Sequence, residues 1–265
     1  MAIEADRAHI CMRPGRESRP VNGVRVDPVN AEAFLRRIES FLACGRSHVV
    51  HFVPADPTVR ARRDRRYRAV LNDGDLNVPD GMSVVWALRL QGVRSERLAG
   101  ADAMGLVAGW GTEAARSHYL YGGTVEAVAR LEDRLRSRHP EIKIVGVESP
   151  PFAPLSGVDL QEAAERIRAA GTDLLWIGLG TPKQDLVATR LRDLEAAPVI
   201  LCVGAAFDFV SGAKPRAPAW VQRAGLEWAF RLASEPERLW RRYLLGNPAF
   251  LWGVSVDALR RRRTR

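Results

Sequence analysis

Asp80 has the clearest chemical opportunity in this chain. It follows a short apolar stretch, residues 76–78, and precedes Gly81 and a second apolar stretch, residues 82–90. Asp is a favoured helix N-cap, which would account for it structurally. It is equally a carboxylate at the C-terminal end of a strand, where a general base would sit. Three glycine-bearing loops offer a second kind of chemistry: Tyr121-Gly122-Gly123-Thr124, Gly178-Leu179-Gly180-Thr181-Pro182-Lys183-Gln184 and Gly204-Ala205-Ala206-Phe207-Asp208. Glycines let a backbone approach a phosphate, and a helix N-terminus offers unpaired N–H groups to an anion. None is a P-loop and none fits G-x-G-x-x-G. One such loop can be a plain tight turn; three on successive units favour a nucleotide-type ligand. Thr181 and Gln184 also have capping-box spacing with Pro182 at the first helical position. Gln184 therefore has a structural explanation, whereas Lys183 adds a flexible cation.

Metal chemistry finds little support. Asp73-Gly74-Asp75 resembles an Asp-x-Asp metal pair but precedes its strand, so it reads as a turn. His48, His51, His118 and His139 lack ligand spacing, and no Ser-His-Asp arrangement emerges. No metal and no cofactor are expected. Cys11, Cys44 and Cys202 show neither a zinc motif nor a disulfide framework, which suits a reducing cytoplasm.

The elements that must position these residues alternate. Asn22-Gly23 suits a hairpin turn within residues 21–26. A helix is expected from Asp27-Pro28 to Cys44-Gly45, a strand at 48–53 and a charged helix at 58–71. Strands at 119–121, 142–147, 174–177 and 199–203 are separated by helices, one opened by Ser156-x-x-Asp159. The pattern predicts an α/β fold, a Rossmann-like doubly wound parallel sheet. After Phe209 only short helices are expected. The predicted organisation is a disordered leader (1–19), an α/β domain (20–212) and a basic, aromatic-rich helical appendage (213–265).

Charge is concentrated in that appendage. The 265 residues carry a net charge of +9, and residues 214–265 hold twelve Lys or Arg against four Asp or Glu. A localised basic block implies an anionic partner. Arg231, Arg238, Arg241 and Arg242 are interleaved with Trp228, Leu239, Trp240, Tyr243 and Leu244, which suits an interfacial segment on anionic lipid. Guanidinium groups can also neutralise a leaving diphosphate. The longest uncharged run, residues 243–256, is too short to span a bilayer, and Gly246 and Pro248 interrupt it. No signal peptide is visible. Nucleic acid is disfavoured, because no groove-reading motif accompanies the arginines.

Several ordered blocks resemble the WecG/TagA/CpsF glycosyltransferases. They are Asn22-Gly23, Asp80-Gly81-Met82, Arg97-Leu98-Ala99-Gly100-Ala101-Asp102, Tyr121-Gly122-Gly123, Ser149-Pro150-Pro151-Phe152, and residues 178–185. The longest runs through residues 203–209, Lys214-x-Arg216-Ala217-Pro218, Gln222, residues 225–228, Arg231 and residues 235–243, ending at Asn247-Pro248. The resemblance implies an inverting transfer of an N-acetylmannosamine-type or glucose-type sugar from a UDP-sugar to a polyprenyl-diphosphate-linked acceptor, in cell-surface polysaccharide synthesis. It implies Asp80 as the base. Gly81, Asp102, Gly122, Gly123, Gly180, Pro182, Lys183, Gln184, Phe207, Asp208 and Arg216 are the expected substrate-binding residues. Arg231, Arg238 and, after them, Arg241 would present charge to the diphosphate. The expected location is the inner face of the plasma membrane, held peripherally; a homo-oligomer is left open. One departure stands out: Pro54 occupies a position where the family usually has a polar residue, with Asp56 or His51 as substitutes. Two rival readings follow, a catalytically silent sugar-nucleotide-binding protein and an Arg-tail nucleic-acid binder.

Overall fold

The computed structural model describes residues 18–151, 153 and 155–262. Most of the expected leader, together with Phe152 and the side chains of the terminal arginine run, lies outside the described residues. The chain opens with an antiparallel hairpin, β1 (Arg19–Val21) and β2 (Val24–Val26). The expected leader therefore ends sooner, since Arg19 already pairs with Val26. Asn22 and Gly23 turn the hairpin with φ of 54° and 82°, as a two-residue turn of this hand requires.

Helix α1 (Ala31–Ala43) starts later than Asp27-Pro28. Asn30 caps it, its side chain accepting from the Ala33 N–H. After β3 (His48–Val53), the single charged helix expected at 58–71 is two, α2 (Ala55–Arg63) and α3 (Arg65–Asp73). Asp64 divides them: its backbone is extended, and its side chain accepts from the Arg66 and Tyr67 N–H groups. β4 (Leu76–Pro79) and α4 (Met82–Arg89) follow, then α5 (Gly100–Glu113). The sequence reading did not anticipate α5. Its glycines weaken helix propensity, and burial of Ala103, Met104, Val107 and Ala108 holds it instead.

The remaining units are β5 (Ser117–Gly122), α6 (Val125–Arg138), β6 (Lys143–Glu148), α7 (Gly157–Ala169), β7 (Leu174–Gly178), α8 (Lys183–Asp193) and β8 (Val199–Cys202). Ser156 and Asp159 make both halves of the expected capping box. Six strands form one parallel sheet in the order β4-β3-β8-β7-β5-β6. Successive strand residues point to opposite faces. Leu120, Trp176 and Leu201 pack on α1, α5 and α6, while Tyr121, Ile177 and Ile200 pack on α7 and α8. Both faces are thus covered, and the doubly wound α/β fold is as expected.

Helices alone follow the sheet: α9 (Ala206–Ser211), α10 (Ala219–Arg223), α11 (Glu227–Ser234) and α12 (Pro236–Arg262). The last has 27 residues and continues through Gly246 and Pro248, correcting the expectation of short helices only. An interior proline costs a helix about 3 kcal/mol, and packing offsets it. Phe250 is buried with Val21, Val26, Val84 and Leu88. Gly253 lies so close to the hairpin turn that a Cβ there would sit 1.8 Å from Asn22 Oδ1. Arg62 donates to the Gly253 carbonyl and pairs with Asp257 at 3.1 Å.

Candidate active site

The C-terminal ends of β3 and β4 open into a cavity of about 380 Å³, roofed by α10, α11 and α12. Asp80, one residue past β4, stands on its wall with Gly81 beside it. Asp80 does not cap α4: Gly81 occupies the N-cap position, and no side chain caps the helix. Its carboxylate instead accepts from the Gly100 N–H at the start of α5. Burial raises its pKa to about 6; the Glu227 carboxylate pushes the same way, and Arg97, Arg231 and the Gly100 N–H pull it down. A carboxyl so placed can hold a proton or give it up near neutrality, as a general base must.

Arg97 ties the two halves of the site together. Its guanidinium, 13% exposed, reaches Glu227 at 3.1 Å, Gln222 at 2.6 Å and Asp102 at 3.3 Å. Asp102 in turn holds Arg216 at 2.7 Å, and Arg216 lies within electrostatic reach of Asp80 and Glu227. Arg231 lines the cavity and places its guanidinium 5.2 Å from the centre of the Phe209 ring. Of the α12 arginines whose side chains are described, it is Arg242 that faces the cavity, paired with Asp56 at 3.3 Å. Arg241 lies over the Trp240 ring instead, and Arg238 is bound to Glu235 at 2.8 Å outside the cavity walls.

The glycine loops gather beside this cavity, because β5, β7 and β8 are neighbours in the sheet. Gly122 has a packing reason for its identity: a Cβ would lie 2.7 Å from the Gly178 backbone. Gly180 has none, for its φ of 74° opens onto empty space. Phe207 is buried beneath this pair of loops, close to Gly123 and Gly178. Asp208 pairs with Lys214 at 3.1 Å. The capping box expected at Thr181 and Gln184 is not formed; Pro182 is the N-cap and makes no side-chain bond. Gln184 is buried and donates to the Cys202 carbonyl at 3.3 Å. Lys183 donates to the carbonyls of Pro151 and Ala153, pinning the loop after β6.

The polar substitutes for Pro54 fall on different sides. Pro54 and Asp56 line the cavity, whereas His51 is buried in the core with Nδ1 2.9 Å from Asp185. Asp185, His51 and Cys202 form a compact buried group among the described residues, and the Tyr67 hydroxyl donates to the other Asp185 oxygen at 2.6 Å. Asp73 and Asp75 lie at the opposite, N-terminal end of β4 and separate: Asp73 pairs with Arg192 at 2.6 Å and Asp75 with His48 at 3.0 Å. Burial alone would raise the Asp75 pKa, yet His48 and the Val49 N–H outweigh it and hold it low. Glu227, Gln222 and Arg97 were not singled out as site residues from the sequence, and Arg242 entered only as one of the appendage arginines. Their blocks were legible in the resemblance, but only the folded chain puts them beside Asp80.

A half-buried carboxylate and arginines beside the C-terminal strand ends of a doubly wound sheet stand where active sites of α/β enzymes are built. Residues 19–264 match the Glycosyl transferase WecG/TagA/CpsF family, and the chain belongs to that family; it is a glycosyltransferase. It is similar to a Bacillus spizizenii protein named N-acetylglucosaminyldiphosphoundecaprenol N-acetyl-beta-D-mannosaminyltransferase, with 30% identity over 90% of this chain and 91% of the relative. A Bacillus subtilis protein of the same name is 32% identical over 74% of this chain and 75% of its own length.

Proposed function

We propose that the chain transfers an N-acetylmannosamine-type or glucose-type sugar, with inversion, from a UDP-sugar to a polyprenyl-diphosphate-linked acceptor. The observation that carries this reading is Asp80, half-buried at a strand end in a cavity shared with Arg97, Arg231 and Arg242. The names of the two relatives support the acceptor class. In the reaction, the acceptor hydroxyl attacks the anomeric carbon as its bond to the UDP oxygen breaks. Asp80 takes the hydroxyl proton, and the UDP leaves with the bonding pair. The loops at Gly122-Gly123, Gly180-Thr181-Pro182-Lys183 and Gly204 to Asp208 hold the UDP, and Arg231 and Arg216 offset its developing charge. The acceptor enters from the α12 side.

That side suits a membrane surface. No helix among the described residues is long and apolar enough to cross a bilayer. Trp220, Trp240, Leu244, Leu245, Trp252 and Leu259 are nonetheless exposed on the appendage, between basic residues. Apolar and aromatic groups set among cations bind an anionic interface peripherally. A screen of UDP-sugars against N-acetylglucosaminyl diphosphate on a short prenyl chain, with product analysis, tests the reading. A new disaccharide-diphosphate product from at least one donor is expected. Donor binding without any product would favour the silent sugar-nucleotide-binding alternative, which Pro54 in the cavity wall keeps in contention.

A further inference from the structure

The cavity changes character along its length. Near Asp80 its walls are charged, with Asp56, Arg97, Glu227, Arg231 and Arg242. Further along they are apolar, and the two helices that face each other explain why. On α4, Met82, Trp86 and Leu90 recur every fourth residue, share one helix face, and all line the cavity. On α12, Asn247, Phe250, Leu251 and Val254 recur at helical spacing and line it from the other side. Since α4 starts two residues after Asp80, its stripe leads away from the base for about 12 Å at about 1.5 Å per residue. At the far end Leu90 is 78% and Leu251 64% exposed. The turn before α11 presses on this wall, because a Cβ on Gly225 would lie 2.4 Å from the Trp86 ring.

A cavity whose inner end sets three arginines among three carboxylates and whose outer end is apolar fits an amphiphile with a charged, polar head. Its volume is that of a small-molecule site, well below what a docked protein helix needs. Met82, Leu90, Phe250, Leu251 and Val254 offer a sugar no hydrogen-bond partners. We propose that this channel between α4 and α12 holds the first isoprene units of the acceptor's prenyl chain. The diphosphate then meets Arg97 and Arg242, and the terminal sugar lies at Asp80. The chain leaves past Leu90 and Leu251, on the side where α12 exposes Leu244, Leu245 and Trp252. This rests on the acceptor reading above and adds a recognition site for the lipid itself. An acceptor would be selected by its chain as well as by its sugar, even with no membrane present.

Calorimetric titration of the full chain with two soluble acceptors tests this. Both are N-acetylglucosaminyl diphosphates, one carrying a farnesyl group and the other an ethyl group. The farnesyl acceptor is expected to bind at least about tenfold more tightly, as burial of even two or three methylene-sized groups would supply. The Leu90→Ser/Leu251→Ser double variant should lose most of that difference, and Trp86→Ala should reduce it as well. Val158→Ser, a change at a residue exposed on α7, should keep it. Equal affinity for the two acceptors in the unaltered protein, or an undiminished difference in both channel variants, overturns the channel while leaving the acceptor reading intact. Failure of both acceptors to bind or be glycosylated, with any UDP-sugar, overturns both.

Discussion

The partial burial of Asp80 costs stability whenever its carboxyl is charged. The folded-state pKa of about 6 lies above the ordinary 3.8, so the folded chain holds the proton longer than the unfolded one. The stabilising contribution is complete below about pH 4, fades as the pH rises to about 6, and stays lost above that. A difference of two units corresponds to about 3 kcal/mol. Asp80→Asn should therefore stabilise the fold by about 1–3 kcal/mol at pH 8 and by much less at pH 4. Urea denaturation at the two pH values measures this, and an equal effect at both would contradict the burial. Asp80 itself was visible in the sequence, because a carboxylate between a strand and a helix is a recognisable arrangement. Its role as a helix cap was an equally good expectation, and only the backbone at Gly81 removes it. Arg97 and Glu227 were not legible as partners of Asp80. Arg97 and Glu227 are 130 positions from each other, and no local pattern encodes the contact that brings them together beside Asp80.

At the level of elements, α10 and α11 complete the environment of a residue that belongs to β4. Glu227, at the start of α11, is the like charge that helps hold Asp80 high. With Asp80 as base, kcat/KM rises with pH along a limb near pH 6. Glu227→Gln removes the like charge, so that limb should move to lower pH; an unmoved limb would separate Glu227 from the base. Truncation before Leu226 removes α11 and α12 but none of the residues that fill the two sheet faces. Circular dichroism should show the α/β signal retained while transfer to the prenyl-linked acceptor is lost; full activity after truncation would make the appendage a mere cover. The strands were legible because their apolar runs are buried on both faces and bounded by glycine or charge. α5 was not, since its stability comes from tertiary burial rather than propensity. The unbroken course of α12 through Pro248 was hidden for the same reason, for its support comes from the hairpin and α2.

For the whole molecule, the near-neutral first 213 residues and the basic remainder put the excess charge in the aromatic-rich helices that cover the C-terminal ends of β3 and β4. Binding to anionic liposomes should be strong at low salt and weak at high salt, each Lys or Arg near the surface adding about 1 kcal/mol. Neutral liposomes should bind little, and the chain truncated before Leu226 should float less. Equal flotation of the two chains would remove the appendage from membrane contact. The measurement closest to the central claim is glycosyl transfer by the unaltered protein and by Asp80→Asn, using UDP-N-acetylmannosamine and UDP-glucose with prenyl-diphosphate-linked N-acetylglucosamine. The account predicts a product of inverted anomeric configuration from the unaltered protein. For the variant it predicts turnover lower by about 10²–10⁴-fold with donor affinity retained. Near-normal turnover by Asp80→Asn, or a product that retains the donor's configuration, would contradict it.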